Sequence, residues 1–286
     1  MTHPVKGIDH CFALVDDLDA AAAQYAALGF TLSPRGMHSA SKGTANYTIM
    51  FPEDYFELLG VLVPTELNAN RREMLARMGQ GLHAVACRID DAEAAATALG
   101  ALGIATQGLG SFSRPVPLPD GSEGIAAFST VAFTPDETPR GMVFMCQHKT
   151  RDTVWLPELL GHANTACGLG AVLTVSDAPA ADAAAFARLW AAGEVLGTDA
   201  GFTVITGPDS APLLVMAPEA MAALYPGIDL AETPTGAFTA LRIEVSDITA
   251  AAACLDAAGI AAVTTATGLA VPPAHAAGVI VEFVPA

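Results

Sequence analysis

Apolar and polar positions along the chain fall into a motif that recurs. Gly7-Ile8-Asp9-His10-Cys11-Phe12-Ala13-Leu14-Val15 is an apolar, β-branched run that ends at Asp16-Asp17, and an alanine-rich stretch after it closes at Leu28-Gly29. The run from Gly81 to Ile89 ends at Asp90-Asp91 and closes at Leu102-Gly103; the run from Phe238 to Val245 ends at Ser246-Asp247 and closes at Ala258-Gly259. In all three copies the last Asp precedes the Gly by twelve residues. A weaker fourth copy runs from Gly168 to Ser176-Asp177. Each copy predicts a strand, a capped helix and a glycine stop. Asp accepts from the free amides at a helix start, and Gly takes up the left-handed conformation at its end. Two or three further strand-like runs follow each helix, such as Thr44 to Phe51 and Tyr55 to Val63. The unit is βαβββ, present four times.

Composition narrows what such a chain can do. Of 286 residues 52% are hydrophobic and 15% charged, which excludes a disordered chain. No run of about 18 uncharged apolar residues is present to span a bilayer. The formal charge of -17 repels phosphate backbones and anionic lipid, so neither nucleic acid nor a membrane is an expected partner. Asp9 and His10 stand where a secretory leader needs an apolar stretch. The five cysteines are odd in number, widely spaced and without a C-x-x-C pair, which predicts free thiols and a cytoplasmic protein.

Gly7-Ile8-Asp9-His10, Gly43-Thr44-Ala45-Asn46, Tyr55-Phe56-Glu57-Leu58-Leu59-Gly60-Val61 and Gly81-Leu82-His83 resemble motifs of the glyoxalase-like proteins of the vicinal oxygen chelate superfamily. The resemblance implies an α+β fold in which the four modules pair into two cupped eight-stranded mixed sheets with helices outside. Residues 1–155 would form the first pair and hold a metal and substrate site. Residues 165–286 would form a degenerate second pair, after a boundary broken by Pro157 and Gly161.

The same resemblance implies a divalent metal ion (Zn, Ni, Mn or Fe) held by His10, Glu57, His83 and Gln147. Imidazole and carboxylate donors on rigid strands leave open positions for a chelating substrate. Glu57 would also be the catalytic base, because the amide of Gln147 takes no proton at neutral pH. One irregularity bears on this set. His10 lies seven residues before Asp17 but His83 lies eight before Asp91, and a one-residue slip turns a side chain to the other face unless a bulge absorbs it. His148 alternates with Gln147 and is expected on the opposite face, at the surface or in packing. His38 and Asn46 are candidate substrate contacts. Arg114 to Gly121 reads as a proline-rich loop, either a lid over the cup or a plain connection.

In the second half, Gly170 or Ala171 and Ala240 or Leu241 stand at the first-strand positions and cannot bind a metal. Glu282, without His partners, is expected to face solvent or end a ladder. The functional expectation is a metal-dependent enzyme on a small oxygen-chelating substrate, of lyase or isomerase type, with ring-cleaving dioxygenase chemistry as the weaker branch. The alternative is a metal-free protein of the same fold that binds or sequesters a small molecule. Either a monomer or a homodimer fits four modules.

Overall fold

The structure, a computed structural model, describes residues 2–118 and 120–286. The first sheet is built from β1 (Ile8–Val15), β2 (Gly36–Met37), β3 (Thr44–Met50), β4 (Tyr55–Val61), β5 (Gly81–Arg88), β6 (Thr106–Pro117), β7 (Glu123–Phe133) and β8 (Met142–His148). Its helices are α1 (Leu18–Ala27), α2 (Ala69–Met78) and α3 (Ala92–Ala101). The second sheet has β9 (Ala166–Val175), β10 (Glu194–Thr198), β11 (Gly201–Ile205), β12 (Leu213–Met216), β13 (Ala240–Val245), β14 (Val263–Thr264), β15 (Leu269–Val271) and β16 (Ile280–Pro285), with α4 (Pro179–Ala187), α5 (Pro218–Leu224) and α6 (Ile248–Ala257).

Strand order is β2-β3-β4-β1-β5-β8-β7-β6 in the first sheet and β10-β11-β12-β9-β13-β16-β15-β14 in the second, the same topology twice. The expected α+β architecture of two eight-stranded mixed sheets is therefore present. In three of the four copies the local signals act as anticipated: Asp17, Asp91 and Asp247 accept amide hydrogens at the starts of α1, α3 and α6, whereas α4 begins after Ala178 with no side-chain cap. Gly29, Gly103 and Gly259 follow those helices with positive φ of 90°, 73° and 68°. Among the described residues no helix is long and apolar enough to cross a membrane.

Alternation along β1 sorts its side chains onto two faces. Cys11, Ala13 and Val15 join a core that continues through α1 and α3 into the second sheet. His10, Phe12 and Leu14 face the concave side. The two halves are tied across that shared core by Phe30 stacked on Phe283 at 5.6 Å and by the Tyr25 hydroxyl donating to Ala276 O. Two helices leave the convex faces and cover the cups instead. α2 sets Met74 against Phe12, Leu14 and Leu59 in the first cup, and α5 sets Met221 against Leu173 and Met216 in the second.

The second cup is filled. Glu282 is fully buried, against the expectation of a solvent-facing carboxylate. Arg242, directly opposite it on β13, donates from Nε at 2.7 Å, Tyr225 from α5 donates at 2.9 Å, and Thr265 and Thr267 donate to the other oxygen. A buried carboxylate persists there because one cation and three hydroxyls satisfy it.

Proline-bearing residues 114–117 are a strand, not a loop: β6 pairs with β7 along Arg114↔Ala126 to Pro117↔Glu123. β6 is the edge strand of its sheet, where a missing amide donor costs no ladder bond. Of the loop anticipated there, Pro119 lies outside the described residues.

Candidate functional site

The first cup encloses a cavity of about 220 Å³. His10 projects into it from β1, Glu57 from β4, Asn46 from β3, and His38 from the turn after β2. His10 Nε2 lies 3.9 Å from Glu57 Oε2, and Asn46 Nδ2 donates to Glu57 Oε1 at 2.8 Å. That bond assigns the amide: with its oxygen turned to Glu57, two acceptors would meet. His38 Nδ1 lies 2.7 Å from Thr44 Oγ1. Burial, then the charges of Lys42, Arg114 and Arg71, push His38 down to about 3.

Behind His10 stands Asp9, buried between two imidazoles. Its Oδ1 lies 2.7 Å from His10 Nδ1 and 2.9 Å from His148 Nε2. Burial pushes this carboxyl up, but the hydrogen bonds and charges of His10 and His148 outweigh it and hold Asp9 well below the usual carboxylate range. An ionised carboxylate only accepts, so His10 donates from Nδ1 and presents Nε2 to the cavity. The His10 ring is further fixed by stacking on Tyr55 at 4.2 Å.

Of the four expected metal ligands, the cup brings together His10 and Glu57 and leaves out the other two. The β1–β5 ladder slips twice, once around Asp9 on β1 and once around His83 on β5. His83 is thus the bulge residue. Its Nδ1 lies 2.7 Å from Gly81 O, and it does not line the cavity. The caps Asp17 and Asp91 and the stops Gly29 and Gly103 are equivalent in the two modules, and the same shift matches His10 with Ala84 and Phe12 with Ala86. Glu57 pairs with Phe12, and its counterpart opposite Ala86 is Phe144.

The parity of β8 is also the reverse of the expected one. Val143 and Met145 face the core, and Gln147 on that same side accepts from Ala92 N at the start of α3. His148 turns toward the cup and Asp9 and packs on Trp155 and Phe128 at ring separations of 5.0 Å.

The donor chemistry decides how well a divalent ion fits. The second module offers a methyl group and a phenyl ring where the sequence resemblance implied two ligands, so half a set remains. Lys42, Arg71 and Arg114 line the same cavity and repel a cation. The cluster of Asp9, His10 and His148 does not replace the set. Zinc ligands in a tetrahedron stand about 3.3 Å apart, whereas these contacts at 2.7 and 2.9 Å are hydrogen bonds. The residues present do not fit the metal.

Sequence reasoning missed Asp9, Lys42, Arg71 and Arg114. Asp9 is adjacent to His10, and that adjacency was the available signal. Arg71 lies on α2, a helix outside the repeated spacing, and Arg114 was masked by the prolines around it.

A family model described as a glyoxalase-like domain matches residues 8–190. No curated protein matches the chain. Among solved structures, a hypothetical protein from Staphylococcus aureus is similar with a TM-score of 0.65 at 15% identity, over 98% of this chain and 99% of that one. A triple mutant of 4-hydroxymandelate synthase from Streptomyces coelicolor is similar with a TM-score of 0.60 at 14% identity, over 99% of this chain and 93% of that one. At these identities the likeness is one of fold, and it extends over both sheets.

Proposed function

The chain belongs to the glyoxalase-like domain family, and on that premise we propose that it is an enzyme of lyase or isomerase type that moves a proton on a small oxygen-bearing substrate bound in the first cup. The observation that carries the reading is His10, held by Asp9 on one nitrogen and facing Glu57 with the other at 3.9 Å inside a cavity. Two acid–base groups at that spacing can serve one substrate. One removes a proton from a carbon beside a carbonyl, and the other returns a proton to the neighbouring atom. The nearby cations stabilise the oxyanion that forms between the two steps. Metal dependence, which the sequence resemblance implied, is left out because the donor set is half absent. Five free cysteines suit a reducing compartment.

The second reading is a metal-free binding cup, favoured by Ala84 and Phe144 in place of donors. One experiment separates the two. A panel of 2-oxoaldehyde thiol adducts and 2-oxo acids is incubated with the protein in deuterated water, and loss of carbon-bound protons is followed by NMR. Exchange that disappears in His10→Gln supports the enzyme. Binding without exchange leaves the binding cup.

A further inference from the structure

The chain carries 13 Lys and Arg against 30 Asp and Glu, yet three of the 13 line a single cavity. Of the other ten, six find carboxylates, Lys6 with Asp90, Arg35 with Asp19, Arg140 with Asp182, Arg151 with Glu53, Arg188 with Glu137 and Arg242 with Glu282, and Arg72, Arg88 and Lys149 donate to neutral oxygens. Among the described residues Lys42, Arg71 and Arg114 form no such pair, and none of the three donates a side-chain hydrogen bond. Arg71 Nε is shut off from water with no partner at all. Burial lowers all three from their ordinary values, and the carboxylate of Glu57 pulls each part of the way back.

The fold makes room for this cluster. Arg114 reaches from β6 across to Gly36 on β2, where an added Cβ would come within 2.8 Å of Cζ and 2.9 Å of Nη1. Lys42 Nζ rests 3.3 Å from the centroid of Phe112, which stacks on Phe128 at 5.1 Å. The cup therefore has a cationic wall beside an aromatic one. With Glu57 counted against them, the three cations leave a formal excess of two positive charges. Desolvated like charges held together repel, and an anion of matching charge relieves the repulsion.

We infer that the ligand of the first cup is a small organic dianion, held by Lys42, Arg71 and Arg114 with its carbon skeleton on Phe112 and Phe128. The inference rests on the reading of this cup as the substrate site. A dicarboxylate and a phosphate monoester carry the same chemistry, and Arg forks match either group.

The test is calorimetric titration of the intact protein with succinate, methyl phosphate, propionate and succinamide, at about pH 7.5 where a phosphate monoester is a dianion. At least one of succinate and methyl phosphate is expected to bind ten-fold or more tighter than propionate, with no heat from succinamide. Which of the two binds identifies the source. Arg114→Met and Arg71→Met are each expected to weaken that binding at least ten-fold, with unchanged thermal unfolding, and Arg114→Lys to recover part of it. Affinity is expected to fall above about pH 8, because burial and then Arg71 push Lys42 down to about 8. Equal binding of propionate or succinamide, no binding of either dianion, or folded arginine variants that bind like the parent would each overturn the inference. Dianion binding without proton exchange on any substrate would sink the proposed reaction and leave this inference standing. Exchange without a dianion preference would do the reverse.

Discussion

Asp9 Oδ1 lies 2.7 Å from His10 Nδ1, and the same oxygen takes a second imidazole, His148, at 2.9 Å. The carboxylate thereby fixes both the tautomer and the angle of the imidazole that enters the cup. Asp9→Asn offers an amide that can donate to Nδ1 and favour the wrong tautomer. Proton exchange is expected to fall by about 10²-fold or more while dianion binding changes little. Exchange rates and calorimetry on one preparation check it; an unchanged rate would remove Asp9 from the mechanism.

Glu57→Gln keeps an oxygen for the Asn46 amide and so retains the wall of the cup, but it cannot carry a proton. Exchange is expected to be lost, with the thermal transition within a few degrees of the parent. Dianion affinity is expected to rise, since the one carboxylate facing the three cations is gone.

The missing half of the donor set gives a constructive prediction. Ala84→His with Phe144→Glu restores an imidazole and a carboxylate at the positions related to His10 and Glu57. The double variant is expected to retain more zinc than the parent, and the parent to purify with far less than one ion per chain. Elemental analysis of both, prepared without chelator, checks this. Equal zinc content in the two proteins would defeat it.

Asp54 is buried where the halves meet, accepting from Leu169 N at 3.1 Å. Burial pushes its carboxyl up to about 7; the Leu169 hydrogen bond and Arg88 pull the other way, and Asp9 and Glu244 add to the rise. The folded state thus keeps a proton that the unfolded chain, with the ordinary value of 3.8, has lost. Stability conferred by the protonated form declines as pH rises from about 4 to about 7. Asp54→Asn keeps an acceptor and removes the charge. Its gain over the parent in urea unfolding is expected to be small at pH 4 and largest at pH 8. A gain independent of pH would contradict the assignment.

Arg242→Met leaves Glu282 buried against Tyr225 and two threonines with no cation. Removing one partner of a buried pair costs about 3–5 kcal/mol, and urea unfolding is expected to show a loss of that order. Function of the first cup should survive in the fraction that stays folded.

Helices α1, α3 and α6 and their limits were legible because an Asp cap and a Gly stop act within a dozen residues, whereas α2 lacks the Asp cap and α5 has neither signal. Which way a strand residue faces was legible only where the strand runs regularly. Asp9 and His83 are the slipped residues of one ladder, and a bulge belongs to the pairing of two strands, so neither strand reports it alone. The seven-against-eight spacing before Asp17 and Asp91 was its trace. The cation wall could not be read at all, because Lys42, Arg71 and Arg114 come from a turn, a helix and an edge strand that only the closed cup brings together.

β2 and β6, the two ends of the first sheet, lie side by side, yet among the described residues no ladder bond joins them. Each edge shields the other from pairing with a neighbouring molecule, without being locked to it. The seam is spanned by a side chain, the Arg114 guanidinium lying over Gly36. A methyl group at position 36 would run into Asn46 Oδ1 as well as the Arg114 guanidinium, so the seam between the edges and the amide that holds Glu57 are built around the same missing side chain.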